Sequence, residues 1–362
     1  MSEPVMWRTQ PGHASIAPVN RFHSPLAKML SLCGVLSILA VAAVPVQAEE
    51  QANPEISYAI ESPKAVHGLL LGVAHAGKRL VAVGQRGHIL YSDDDGKSWV
   101  QAKVPTRQLL TAVAFATDKK GWAVGHDSLI LATEDGGATW TEQFVDIERE
   151  EGSPFLDVLF TDENNGFVVG SYGALFVTTD GGQNWEDVSD RLDNPDGYHL
   201  NAVAEIKGSG LFIVGEAGSM FRSADNGETW ETLAGPYEGS WFGVLGTGEP
   251  GGVLAYGLRG NLYRSSDFGG SWQRIDVKSA RGNGLEYGLS GGALEDDGSV
   301  VLVGHGGSVL KSTDHGGSFS LVNRADRLSL SSVAVAANGN LILVGQAGVQ
   351  VAAPTGAELG QQ

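Results

Sequence analysis

The chain is 362 residues long, with 51 glycines, 13 prolines and a single cysteine, Cys33. Hydrophobic residues make up 42%, too many for a disordered chain, and one cysteine excludes both a disulfide framework and a thiolate zinc site. The balance of 24 basic against 42 acidic residues, a net charge of -18, sets the molecule against phosphate backbones and so against nucleic-acid partners.

In chain order, residues 1–28 carry Arg8, Arg21 and Lys28 but only one acid, Glu3. An apolar stretch, 29–44, follows, and Val46-Gln47-Ala48 supplies small residues before Glu49. A basic segment, a short apolar run and a small-x-small ending predict a secretory signal peptide over 1–48. The apolar run of 16 residues falls short of the roughly 20 that span a bilayer. Cys33, just after Leu32 early in that run, is poorly set for lipidation. The remaining chain, 49–362, holds 21 basic residues, 41 acidic ones and no cysteine, so it must be stabilised by packing alone.

That remainder is built from one repeated unit. A short motif recurs seven times, starting at Val83-Gly84-Gln85-Arg86-Gly87, Val124-Gly125-His126-Asp127-Ser128 and Val169-Gly170-Ser171-Tyr172-Gly173. It continues through Val214-Gly215-Glu216-Ala217-Gly218, Tyr256-Gly257-Leu258-Arg259-Gly260, Val303-Gly304-His305-Gly306-Gly307 and Val344-Gly345-Gln346-Ala347-Gly348. The leading glycines lie 41, 45, 45, 42, 47 and 41 residues apart.

A second motif, Ser/Thr-x-Asp-x-Gly-x-x-Trp/Phe, follows the first six of these in phase. It is anchored on Asp94 and Trp99, Asp135 and Trp140, Asp180 and Trp185, Asp225 and Trp230, Asp267 and Trp272, and Asp314 and Phe319. The seventh unit has Ala352-Ala353-Pro354-Thr355-Gly356 there instead. As a hairpin connector the motif is self-explanatory: Asp accepts N–H groups of its own turn, Gly takes a positive φ, and the aromatic opens the outgoing strand and buries a large face. The runs between motifs, such as 109–116, 121–124 and 129–132, have strand length and strand composition, and no segment keeps a helical period.

Four short strands per unit of about 43 residues predict a β-propeller blade. The expected fold is therefore all-β: a seven-bladed propeller of four-stranded blades forming one domain over 49–362, with the repeats at about 64–350. Because unit seven lacks its outermost strand, residues 56–60 are expected to complete that blade and fasten the ring.

The Ser/Thr-x-Asp-x-Gly-x-x-Trp motif resembles the Asp-box of bacterial neuraminidase repeats, shared by sialidases, sortilin-type receptors and several glycoside hydrolases. The pairing of Val-Gly-x-x-Gly with an Asp-box in nearly every unit resembles the photosystem II stability and assembly factor family. That resemblance implies a seven-bladed, non-enzymatic scaffold for assembling a membrane-associated complex, whose partners are protein subunits of that complex. It also implies an exported location, periplasm or thylakoid lumen, a monomer at most peripheral to the membrane, and no cofactor. One departure concerns the partner. The family's phototroph members carry an arginine-rich patch, whereas here the Val-Gly-x-x-Gly turns hold only Arg86 and Arg259 in a strongly acidic chain.

The alternative is a glycan-binding or sialidase-like hydrolase, which needs an arginine triad on a carboxylate, a Tyr–Glu pair and an acid. The Arg-Ile-Pro signature of sialidases is absent. The six Asp-box aspartates are assigned structural rather than catalytic roles, because regular repetition favours the turn. His126 and His305 share a turn register in units 2 and 6, but no third histidine joins them, and no metal is expected. Partner binding is assigned instead to the face bearing the Val-Gly-x-x-Gly turns and the uneven connections 145–154, 189–199 and 276–288. Its candidates are Arg86, Tyr172, Arg259, His126, His305 and Glu216. Around them lie Asp146, Glu148, Glu150, Glu151, Asp190, Asp193 and Asp196, with Tyr198 and Tyr287. The same acids also suit a solvated rim.

Overall fold

The computed structural model describes residues 56–149, 152–278, 282 and 284–359. The expected signal peptide, with Cys33, lies outside them, as do Glu150 and Glu151. Among the described residues no helix is long and apolar enough to cross a membrane.

Seven antiparallel sheets follow one another along the chain, six of four strands and the last of three. In blade 2 the strands are Leu110–Phe115, Gly121–Gly125, Leu129–Thr133 and Thr141–Phe144, at the expected places. The first strand of each blade is innermost, and these strands touch in sequence around the ring, the first (Leu70–Ala76) also meeting the seventh (Leu330–Val335). Second strands such as Gly121–Gly125, Gly166–Gly170 and Leu341–Gly345 are buried along their whole length. They lie sandwiched between neighbouring blades, which explains their continuous rather than alternating apolar sequence. Outermost strands such as Glu186–Asp187 and Glu231–Thr232 are two residues long and exposed.

Every seam between blades holds one apolar cluster. Five seams take the Asp-box tryptophan of the later blade: Trp140 packs between blades 1 and 2, Trp185 between 2 and 3, Trp230 between 3 and 4, Trp272 between 4 and 5, and Trp99 between 7 and 1. Phe319 does the same between blades 5 and 6. The cluster between blades 6 and 7, from Val301 to Ala352, lacks this aromatic because unit seven lost the motif. Its turn persists through Gly356, whose φ is +87° and where a Cβ would stand 2.7 Å from Val309 Cγ1.

Ring closure differs from expectation. Residues 56–60 form no strand and do not reach the seventh sheet; they lie along blade 1. The Ala59 N–H donates to the Val104 carbonyl (2.9 Å), Gln101 Nε2 to the Ile60 carbonyl (3.0 Å) and Arg107 Nε to the Tyr58 carbonyl (2.8 Å). The seventh sheet keeps three strands, and beyond its third, Gly348–Ala352, the chain turns back so that Ala352 bridges Glu358. The ring is instead closed by burial: Ala65, Leu70, Val73 and Leu80 of the first unit pack on Ala334, Ile342 and Val344 of the seventh. Each such side chain removed from water contributes on the order of 1–3 kcal/mol, so closure by packing requires no exchanged strand.

The Val-Gly-x-x-Gly turn ties each blade's second strand to its first. In all seven blades the residue after the leading glycine donates its N–H to the carbonyl just before the innermost strand: Gln85 to Leu69, His126 to Leu109, Ser171 to Pro154, Glu216 to His199, Leu258 to Ser240, His305 to Gly288 and Gln346 to Ser329, at 2.9–3.1 Å. The leading glycine is demanded by the same approach, since a Cβ on Gly215 would stand 2.2 Å from the His199 carbonyl oxygen. Gly215→Ala is expected to destabilise the fold by about 1–3 kcal/mol in denaturant titrations. Gly284→Ala, where a Cβ meets nothing within 4 Å, is the control and should change stability by less than about 0.5 kcal/mol.

Candidate functional site

On one face, the aspartates of the Asp-boxes are saturated by their own turns. In the first box Ser92 Oγ donates to Asp94 Oδ1 (2.9 Å) and accepts the Gly96 N–H (2.9 Å), while Asp94 accepts the Ser98 N–H (2.9 Å) and the Ser98 hydroxyl (2.6 Å). The same set recurs around Asp135, Asp180, Asp225, Asp267 and Asp314. The second hydroxyl or amide partner, at Ser98, Thr139, Asn184, Thr229, Ser271 and Ser318, is the element that motif reading missed. Its signal was a hydroxyl or amide side chain one position before every aromatic. Hydrogen bonds from Ser98, Thr229 and Ser271 lead in holding Asp94, Asp225 and Asp267 down to about 2, and the Ser312 hydroxyl leads at Asp314, also about 2. At Asp135 burial pushes upward, but the hydrogen bonds from Thr139, Thr133 and Ala138 together outweigh it, and the Asn184 side chain leads in lowering Asp180. A carboxylate held this low is a poor general acid, and each of these is engaged by hydrogen bonds of its own turn. Trp99 and Trp140 complete theirs by donating Nε1 to the Gly96 and Gly137 carbonyls (3.1 and 3.0 Å).

The opposite face carries the Val-Gly-x-x-Gly turns, as expected. Its second variable residue adopts the left-handed conformation in five blades without glycine: Arg86 (φ 58°), Asp127 (61°), Tyr172 (57°), Ala217 (51°) and Arg259 (58°). Such backbone is costly for a side-chain-bearing residue, about 1–3 kcal/mol, and persists where the surroundings over-determine it. The outcome is a ring of side chains projected outward from rigid turns. Arg86 and Arg259 are exposed, and neither makes a side-chain hydrogen bond or ion pair among the described residues. Other arginines are engaged: Arg79 on Asp93, Arg222 on Glu231, and Arg264 on Glu249.

Tyr172 and Glu216 are brought together, through a residue the sequence did not single out. His199 Nδ1 accepts the Tyr172 backbone N–H (2.9 Å), its ring stands edge-on to Tyr172 with centroids 5.0 Å apart, and the backbone N–H of His199 donates to Glu216 Oε2 (3.2 Å). Tyr172 is 56% exposed and roofs a hollow of about 400 Å³ with Ser189, Asp190, Asp193 and Asn194. Tyr198 lies beside Asp196, whose charge raises its phenol. Tyr287 covers the turn at Gly306 in blade 6. His126 is half-buried and His305 exposed, on separate blades. Among the described residues no three His, Cys, Asp or Glu side chains gather as metal ligands. Arg149 was also missed: its guanidinium bridges blades 2 and 3 by donating to Ser128 Oγ (3.3 Å) and the Ser171 carbonyl (2.9 Å).

Residues 97–155 and 150–285 match the family described as photosynthesis system II assembly factor YCF48. The chain belongs to this family. It is 31% identical over 110 residues to a chloroplastic photosystem II stability/assembly factor, HCF136, of Cyanidioschyzon merolae, covering 28% of this chain and 24% of that protein. It is 44% identical over 48 residues to the photosystem II assembly lipoprotein Ycf48 of a Prochlorococcus marinus strain, covering 13% and 14%. The chain thus aligns with a quarter or less of the length of these curated relatives. Among solved structures, YCF48 from Cyanidioschyzon merolae superposes with a TM-score of 0.61 at 19% identity, over 81% of this chain and 97% of that one. YCF48 bound to D1 peptide gives 0.60 at 16%, over 81% and 93%. The WD40 propeller domain of Doa1 gives 0.60 at 12%, over 81% and 94%. These likenesses establish the propeller fold.

The depressed Asp-box carboxylates set an acid limit on this family member. A folded-state value below the unfolded one of about 3.9 contributes stability that is present above pH 4 and lost as pH falls toward 2. Denaturant midpoints measured at pH 5, 3 and 2 should fall in that order. Asp225→Asn should be less stable than the parent at pH 5 and lose less on acidification.

Proposed function

We propose that this chain is an exported, non-enzymatic propeller that binds protein subunits of a membrane-associated complex and holds them during assembly. Family membership supports the assembly role, and the solved relative titled as bound to D1 peptide supports a polypeptide ligand. The observation that carries the reading is the contrast between the two faces. One has its carboxylates saturated by their own turns, whereas the other displays Arg86, Tyr172 and Arg259 from left-handed turns with exposed side chains. Presenting contacts from a rigid backbone limits the ordering cost of binding, so affinity comes from few side chains. Periplasm or thylakoid lumen suits the basic and apolar pattern of 1–48 and the lipoprotein and chloroplastic names of the relatives.

The tagged chain should be captured from crosslinked native membranes, its partners identified by mass spectrometry, and the triple variant Arg86→Ala, Tyr172→Ala, Arg259→Ala run beside it. The expected outcome is enrichment of one membrane complex by the parent and loss of roughly tenfold or more in the variant, with unchanged thermal unfolding. Equal recovery by both would place the partner elsewhere. Recovery of envelope polysaccharide without protein would favour the glycan-binding alternative.

A further inference from the structure

The seven innermost strands enclose a channel of about 440 Å³. Each strand has an irregularity near its start, and the residue just beyond it is small in six blades: Gly72, Ala112, Ala202, Gly243, Gly291 and Ser332. Blade 3 has Asp157 at that position. A second irregularity sits two blades away. The residue preceding the leading glycine is valine in six units but Tyr256 in the fifth. Its ring passes over Gly243, where a Cβ would stand 2.3 Å from Cζ and 2.4 Å from the hydroxyl oxygen. Glycine at 243 therefore makes the space through which the phenol reaches the channel.

The two groups line the same channel in a suggestive state. Tyr256 is 3% exposed, and its hydroxyl has no hydrogen-bond partner among the described residues. Asp157 takes one backbone N–H on each oxygen, from Val158 to Oδ1 (2.9 Å) and from Val203 to Oδ2 (3.0 Å). Burial pushes its carboxyl up to about 6, and burial followed by the Asp157 charge raises the Tyr256 phenol. Among the described residues the only other charged side chain lining the channel is an acid, Glu205, and no base lines it. The rest of the lining mixes apolar side chains, Leu71, Leu156, Phe242 and Leu294 among them, with the polar Asn201, Ser290, Ser331 and Ser332.

We propose that the central channel binds a primary ammonium group on a straight alkyl chain, with the Asp157 carboxylate and the Tyr256 hydroxyl as its acceptors and apolar side chains of the lining, such as Leu156 and Phe242, beside its methylenes. An ammonium is a compact three-donor charge that can take one lone pair from each group. The site is separate from the loop face and does not depend on the assembly reading.

The probe is n-butylammonium, with n-butanol as the neutral control, titrated calorimetrically into the full chain at pH 8. Saturable binding of the cation with none of the alcohol is expected, weakened at least about tenfold by Asp157→Asn and several-fold by Tyr256→Phe. Should Asp157→Asn unfold, since it also breaks a bridge to Val203, Tyr256→Phe and a pH series on the parent decide. Affinity should fall between pH 8 and 5 as Asp157 takes up its proton, Glu205 and Tyr256 being the other titratable groups on the channel. A second titration with a short peptide bearing one terminal lysine separates the sources: binding of both probes points to an inserted lysine, of butylammonium alone to a free amine. Equal response to butanol, no saturation, or unchanged binding in Tyr256→Phe together with no pH dependence would overturn the proposal.

Discussion

The architecture rests on one close approach repeated seven times: the N–H after each leading glycine meets the carbonyl that precedes the innermost strand of the same blade. A side chain on that glycine would drive into the carbonyl, so hydrogen bond and glycine are one constraint seen from two sides. With the second strand pinned to the start of the first, the sheet's inner corner is fixed. The side chains carried by the turn then point away from the ring.

The outer part of each blade is fixed by a different device, the Asp-box, which satisfies its own donors and acceptors locally and delivers an aromatic into the seam with the preceding blade. Local polar closure and long-range burial are thus linked in eight residues. Where the box is missing, in the seventh unit, the seam is built from smaller aliphatic side chains and the sheet stops at three strands. The two faces diverge chemically for this reason. On one face the box carboxylates are taken up by their own turns, while on the other the left-handed turns carry exposed side chains such as Arg86 and Tyr172.

The inner ring is less uniform than the repeat suggests. On one arc, polar side chains clasp neighbouring blades: Thr111 Oγ1 donates to the Phe155 carbonyl (2.7 Å), Asp157 accepts from Val203, and Asn201 Nδ2 donates to the Trp241 carbonyl (2.7 Å). On the rest of the ring the backbones come close where side chains are absent, as at Gly291 against Ser331. A channel lined this way has a chemically distinct side, running from blade 2 to blade 5.

Repeat period, blade number, strand positions in blade 2 and the turn-internal hydrogen bonds of the Asp-box aspartates were all legible in the sequence, because each depends on local spacing or on residues within eight positions of one another. The exposed character of Arg86, Tyr172 and Arg259 followed from their place in a turn. Tertiary structure alone decided the rest. Ring closure went to apolar packing, with residues 56–60 bonded to blade 1, because the stronger partner for those backbone groups lay at Val104 and Gln101, some 40 residues on. His199 joining Tyr172 to Glu216, and Tyr256 reaching the channel past Gly243, each unite residues from different strands or blades. No periodicity records such meetings, since they depend on how the sheets are rotated against one another.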